Sequence, residues 1–275
     1  MIRIFSILIG AFFSLALLLA FGTGAYSYFT EPPVKSVEAR FYKHPEALDL
    51  PSNGWFGKYD TAQLQRGFKV YSEVCAACHS IKYVAFRDLK ALGYNEAQVK
   101  TIAAKFTVTA KDPLTGEVKE RPGVPADRFP EVAYAGKGVP PDLSLITKAR
   151  HDGAAYLHSL LTGYADPATY KNADGESLPK ENQPGDGLYF NPYFANLNLS
   201  MPAPITSEGQ VTYDDGTKAT VDQMSKDVAA FLVWTAQPEL EKRHQTGVWW
   251  LGFLLFATVL AYMSYRNIWA DKKGH

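Results

Sequence analysis

The chain lacks most of the usual means of bracing an exported domain. Only two of its 275 residues are cysteine. A disulfide-rich scaffold is therefore excluded, and no structural bridge is available. Methionine is scarce, with four in all. Neither sign of charge dominates: 28 Lys and Arg meet 28 Asp and Glu, for a formal net charge of +0. Nothing in that balance points to nucleic acid. No internal repeat is visible. No second Cys pair and no His pair stands at metal spacing, which argues against zinc. No strand–helix–strand pattern surrounds the cysteines, as a thioredoxin-type redox pair would require. What the chain does have is aromatic rings, 16 Tyr and 16 Phe, in a sequence that is 47% hydrophobic. That suffices for one generous domain or two small ones.

Both cysteines fall in Cys75-Ala76-Ala77-Cys78-His79. Cys-x-x-Cys-His is the attachment signature of a c-type haem. The two thiols add across the haem vinyl groups, and the imidazole that follows at once is placed to reach the iron. A disulfide between the two would close a tiny loop and leave His79 without a purpose. The expected cofactor is one covalently attached haem c, with His79 as an iron ligand. The many aromatic rings suit the walls around so large and flat a group. Attachment needs reduced thiols on the outer side of a membrane.

The order of the chain fits that location. Ile4–Phe21 is almost wholly apolar behind Arg3, and reads as a signal peptide or an uncleaved signal anchor over 1–25. Glu31-Pro32-Pro33 ends it. Asp60 with Gln63 marks a helix start, and Leu64, Phe68, Tyr71 and Cys75 recur at helical spacing. The haem motif is thus expected at the end of an amphipathic helix. A second helix is expected over Tyr83–Leu92, stopped by Gly93, and a third after an Asn95 cap. Lys111–Pro130 reads as an exposed loop. Pro140-Pro141-Asp142-Leu143-Ser144 is held extended by its prolines. Asp152 is expected to cap a short helix that ends at Gly163. The stretch 164–207 is irregular, and loops of that length are usually functional. Its first half is acidic, with Asp166, Asp174, Glu176, Glu181 and Asp186. Asp215-Gly216 between strand formers predicts a small hairpin over Val211–Thr217. Thr220 with Gln223 predicts a capped helix to about Ala236. Gly247–Tyr265 carries no charge and is near the length of a membrane span, with Trp249, Trp250 and Tyr265 near its ends. Arg266, Lys272 and Lys273 follow it. The haem domain must lie outside, so the tail, 267–275, is cytoplasmic.

His79 leaves the opposite face of the iron to be filled by water, His or Met. Met1 is the initiator, Met263 lies in the span, and Met224 sits on the apolar face of a capped helix. Met201 remains, braced by Pro202 and Pro204. His44, His151, His158 and His244 are the competitors, and none sits in such a loop.

Taken together, these residues resemble the cytochrome c1 family, the haem subunits of ubiquinol–cytochrome c reductase, in bacterial form. The matching stretches are Cys75 to Ser80, Pro140 to Ser144, Ala149 to His151, Ser159 to Tyr164, Gly187 to Tyr193, Met201 to Pro204, and Asp215 to Thr217 leading into Lys226-Asp227-Val228. The resemblance implies Met201 as sixth ligand, Arg150 near a haem propionate, and Tyr156 with Pro141 lining the pocket. It implies a mainly α, class I-like c-type cytochrome domain with long loops and a small β-hairpin, plus a C-terminal transmembrane helix. The domains would be a periplasmic haem domain over 26–244 and a span over 245–266 of the bacterial inner membrane. The partners implied are cytochrome b, a Rieske iron–sulfur protein and an acceptor cytochrome c, in a dimeric complex. The family often has a longer, Asn-containing stretch before Pro140; here it is only Ala135 to Val139. Two other classes stay open: a free-standing tethered cytochrome, and a haem enzyme such as a peroxidase.

Overall fold

The computed structural model describes residues 2–31, 34–111, 116–134, 136 and 138–272. Two compact units divide at Phe41. The first holds α1, Ile2–Thr30, and the short α2, Val37–Phe41. α1 is one continuous helix with no buried residue and high mean hydropathy. It extends beyond the apolar run read from the sequence, through Gly22 and Gly24, because nothing there breaks the backbone pattern. Pro32 and Pro33 lie outside the described residues.

The second unit is built around two crossed helices, α3 (Thr61–Val70) and α7 (Val221–Ala236). Asp60 caps α3 through hydrogen bonds from the Ala62 and Gln63 amides. Thr220 caps α7 by accepting from the Gln223 amide at 3.0 Å. Gln223 does not return the bond; its side chain donates to Asp227 instead. The helices cross where α3 has Gly67. A Cβ there would sit 2.1 Å from the Asp227 carbonyl oxygen, so only glycine permits the approach. Around the crossing, Phe68 and Phe231 lie 5.6 Å apart, and Phe231 stacks on Trp234. Burying each such ring contributes about 1.5–3 kcal/mol.

One ionic link pierces this core. Arg66 donates to Asp227 at 2.9 Å and to Asp215 at 2.6 Å, and the Asp227 side chain is wholly buried. Gln223 donates to the second Asp227 oxygen at 2.8 Å. The Thr217 amide and Arg66 hold Asp215 down to about 2. Arg66 and Lys69, which binds Asp214, explain a departure from expectation. Val211–Thr217 forms no strand pair. The Asp-Gly turn is present, with Gly216 at φ 78, but its carboxylates and the buried Val211 and Tyr213 are committed to the helices. Tertiary partners outcompete a local hairpin.

Strands appear elsewhere. β1 (Thr107–Lys111) pairs antiparallel with β2 (Val118–Pro122); β1 leads into the segment expected to be a loop, and β2 lies inside it. The β-branched Thr107, Val108 and Thr109 favour the extended chain there. The tip of that loop, 112–115, lies outside the described residues. β3 (Tyr189–Phe190) and β4 (Asn198–Leu199) form a second, two-residue ribbon inside the otherwise irregular 164–207. The helix expected from Tyr83 is a 3₁₀ helix starting at Phe86, because Ala85 is held extended against Arg128. It ends at Gly93, φ 88, as expected. α4 follows over Glu96–Ala104 with the Asn95 cap in place. α5 (Ile146–Ala149) and α6 (Gly153–Thr162) lead back to α7. Asp152 stands at the start of α6 but does not cap it. Its φ is 61, and its carboxylate pairs with His151 at 2.9 Å. α8 runs over Leu240–Trp269 and is exposed and apolar enough to cross a bilayer. Lys273 lies outside the described residues. So do 135 and 137 of the short stretch before Pro140.

Candidate haem site

The chain leaves α3 through a π-helical turn over Tyr71–Cys75. The Ala76 amide reaches back to the Tyr71 carbonyl at 2.8 Å. The amides of Cys78 and His79 then both donate to the Cys75 carbonyl, at 3.0 and 2.9 Å. This winds the five-residue motif into one tight turn, which brings both thiols and the imidazole together. Both cysteines are free thiols and half-buried. Burial, with the Cys78 thiol beside it, pushes Cys75 up to about 12.

The imidazole is aimed by a neighbour that the sequence places far away. His79 Nδ1 lies 2.7 Å from the Pro141 carbonyl oxygen. A carbonyl only accepts, so Nδ1 carries the proton and Nε2 keeps its lone pair. This is the arrangement of a metal-binding histidine steadied by a backbone carbonyl. Two free thiols with an imidazole fixed in that tautomer fit a covalently attached haem c.

Asp142, one residue on, fastens this contact. Its carboxylate accepts from Ser80 Oγ, the Lys82 amide and the Ser144 amide, each at 2.9 Å. Burial pushes Asp142 up, but the hydrogen bonds from Ser144, Lys82 and Ser80 outweigh it, and its carboxyl lies below the usual range. Ser144 Oγ takes the Tyr83 amide at 3.1 Å, and the Leu143 amide reaches the Ser80 carbonyl at 2.8 Å. Tyr71 OH donates to the His79 carbonyl at 3.0 Å. The Pro-Pro-Asp-Leu-Ser segment is thus sewn to the end of the haem motif. Sequence reading singled out the prolines and missed Asp142. The available signal was an acidic residue followed two positions on by serine, an Asx-turn pattern.

On the other side, Met201 is half-buried, and its carbonyl accepts from Tyr164 OH at 3.0 Å. Gln210 Nε2 donates to the Pro204 carbonyl at 2.8 Å, and Ile205 is buried. Tyr164 is raised by burial and by the nearby Tyr156 phenol. Tyr156 is raised by burial, against the opposing pull of the Arg150 guanidinium. Arg150, Tyr156, Tyr164 and the Met201 loop therefore form one neighbourhood. Arg150 and Pro141 are exposed, and Arg150 donates to the Ala149 carbonyl. Cys75, Tyr156 and Ile205 pack on the same apolar core. Tyr164 is the second residue that sequence reading did not single out.

The other candidate ligands have different surroundings. Met224 is fully buried in α7 and Met263 is exposed on α8. His158 bonds Asp222 at 2.9 Å, His151 bonds Asp152, and His244 faces the Gly57 carbonyl at 3.3 Å. His44 packs edge-on against Tyr42.

A mainly helical domain with this motif is a c-type cytochrome, here followed by a helix long and apolar enough to cross a membrane. Residues 50–272 match the Cytochrome C1 family. A cytochrome c1 of Rhodospirillum rubrum is 42% identical over 238 residues, covering 82% of this chain and 87% of its own length. A mitochondrial cytochrome c1 heme protein of Arabidopsis thaliana is 40% identical over 271 residues, 95% of this chain and 83% of that one. The cytochrome b/c1 of Bradyrhizobium diazoefficiens is 40% identical over 255 residues, 80% of this chain but 36% of the longer protein. The chain belongs to the cytochrome c1 family, and its cofactor is a covalently attached haem c.

Proposed function

We propose that this chain relays single electrons from a Rieske iron–sulfur protein to a cytochrome c, as the haem subunit of a ubiquinol–cytochrome c reductase. The observation that carries the reading is His79, held through Nδ1 by the Pro141 carbonyl with Nε2 left for iron. Haem c bound there supplies one-electron chemistry. Cys75 and Cys78 would tether it, and His79 and Met201 would hold its iron. A thioether ligand raises the potential, which an acceptor of electrons from a Rieske centre needs. Arg150 neutralises a propionate, while Tyr156 and Pro141 exclude water from the edge. The chain contributes no acid, base or nucleophile; quinol oxidation belongs to cytochrome b and the complex. α8 anchors the domain in the inner membrane of a bacterium, with the haem domain periplasmic, the tail cytoplasmic and the complex dimeric. The likeness to a cytochrome b/c1 supports cytochrome b as the membrane partner.

The test is Met201→Leu in the whole complex. Haem should stay attached, the far-red sulfur-to-iron absorption should vanish, the potential should drop, and quinol-dependent cytochrome c reduction should fail. Met224→Leu is the control and should change packing only. If Met224→Leu lowers the potential and Met201→Leu does not, the ligand assignment is wrong. Failure to co-purify with cytochrome b would leave a free-standing tethered cytochrome.

A further inference from the structure

Two large rings of the haem domain lie bare with no role in the site. Trp55 is 78% exposed and Phe56 is 80% exposed. They stand at the tip of a tight loop closed by the Lys58 amide on the Pro51 carbonyl at 2.9 Å. Gly57 passes so close to Ser52 that a Cβ there would meet its carbonyl oxygen at 2.2 Å, so the neck is closed only with glycine. Adjacent bare aromatics on such a loop mark a contact surface.

The loop is docked on the base of α8 at its neck. The Tyr59 amide donates to Glu241 at 2.7 Å, and Tyr59 OH donates to the Gln237 carbonyl at 2.8 Å. Two residues earlier, the Gly57 carbonyl faces His244. Moving back from Tyr59 to Gly57 moves along α8 from Glu241 to His244, so the neck of the loop lies just before the apolar part of the helix. Trp249 lies only about 7.5 Å beyond His244 along the helix axis. Exposed Lys58, Lys242 and Arg243 surround the docking point. Aromatic rings with basic residues beside them are the composition of a bilayer interface.

We propose that the Pro51–Lys58 loop is a second membrane contact: Trp55 and Phe56 enter the headgroup–acyl boundary beside the start of α8. The proposal rests on the reading of α8 as a membrane anchor. One peptide span lets a domain swivel. A second contact on the same rigid body removes that freedom and holds the haem domain at a set tilt to the membrane.

The test uses the full-length chain, labelled with fluorinated tryptophan and placed in nanodiscs of phosphatidylcholine and phosphatidylglycerol. Fluorine NMR is recorded with the haem reduced, and Trp55→Phe assigns the Trp55 signal. A nitroxide on the lipid headgroup should broaden Trp55 as it broadens Trp249 and Trp250, while buried Trp234 stays sharp. A Trp55 signal broadened by an aqueous gadolinium chelate, but not by the headgroup nitroxide, overturns the proposal and leaves α8 in the bilayer. If that chelate broadening then disappears when cytochrome b is added, the rings face a protein, and the lipid assignment is equally overturned. If Trp249 and Trp250 also ignore the lipid nitroxide, the anchor reading falls and the proposal with it.

Discussion

The two sides of the haem site are built differently. On the His79 side, the imidazole is cross-linked to a distant segment by direct hydrogen bonds, and a half-buried carboxylate gathers three donors into one knot. On the Met201 side, the bonds go to backbone carbonyls and the sulfur itself is held by none of them. Its position comes from Pro202 and Pro204, from buried Ile205, and from the Tyr164 and Gln210 contacts. One side is rigid through polar bonds, the other through a restricted backbone. If His79 and Met201 are the proposed iron ligands, the first side would fix the haem in the fold, and replacing Met201 should change the iron more than the fold.

Residues from both sides of the site pack on the core that α3 and α7 build, so breaking that core should disturb both. Arg66→Leu leaves Asp227 charged and buried, at a cost of about 3–5 kcal/mol. Thermal unfolding should then fall sharply for both sides together. Arg66 also pairs with Asp215, and that pair predicts an acid limb. Asp215 is depressed in the folded state, so its stabilisation is full above its unfolded value of about 3.9. It is lost as pH falls toward about 2, and acid titration of Asp215→Asn should lack that part of the loss.

Asp142→Ala should sharpen the comparison. Hydrogen bonds to a charged group are worth roughly 1.5–3 kcal/mol each, so its loss should lower the unfolding midpoint and impair haem attachment. A redox titration of the haem that does attach should show a smaller change than Met201→Leu. The reverse ordering would mean that the polar knot, rather than the thioether, sets the potential.

Met201→Leu should reverse that pattern. A volume-conserving swap costs less than about 1.5 kcal/mol, so stability should barely move while the potential falls. The smallest structural effect belongs to Tyr164→Phe, which removes one bond to the Met201 carbonyl, about 0.5–1.5 kcal/mol. Denaturant unfolding measures that cost. Weaker still is the acidic loop: Asp166, Asp174, Glu176, Glu181 and Asp186 are all exposed. If they steer an acceptor cytochrome, neutralising them should slow electron transfer most at low salt. Unchanged salt dependence would leave them as a solvated loop.

Features that depend on neighbours in the chain were legible in the sequence. The haem motif, the Asp60, Asn95 and Thr220 caps, the Gly93 stop and the long apolar helices are all short-range patterns, and the fold carries each. Short-range reading failed where a local preference met a stronger distant partner. Asp214 and Asp215 suggested a hairpin but serve Lys69 and Arg66. Asp152 suggested a cap but pairs with His151.

By itself, then, the sequence determined the cofactor chemistry, the helices and the membrane-length segments, because thiol spacing, capping side chains and apolar length act within a few residues. Tertiary structure alone decided that Pro141 orients His79, that Asp142 knots the two segments, that Tyr164 reaches Met201, and that Gly67 is where α3 and α7 touch. Each of these joins residues distant in the chain, and a polar group buried on folding must take whichever partner the packing brings.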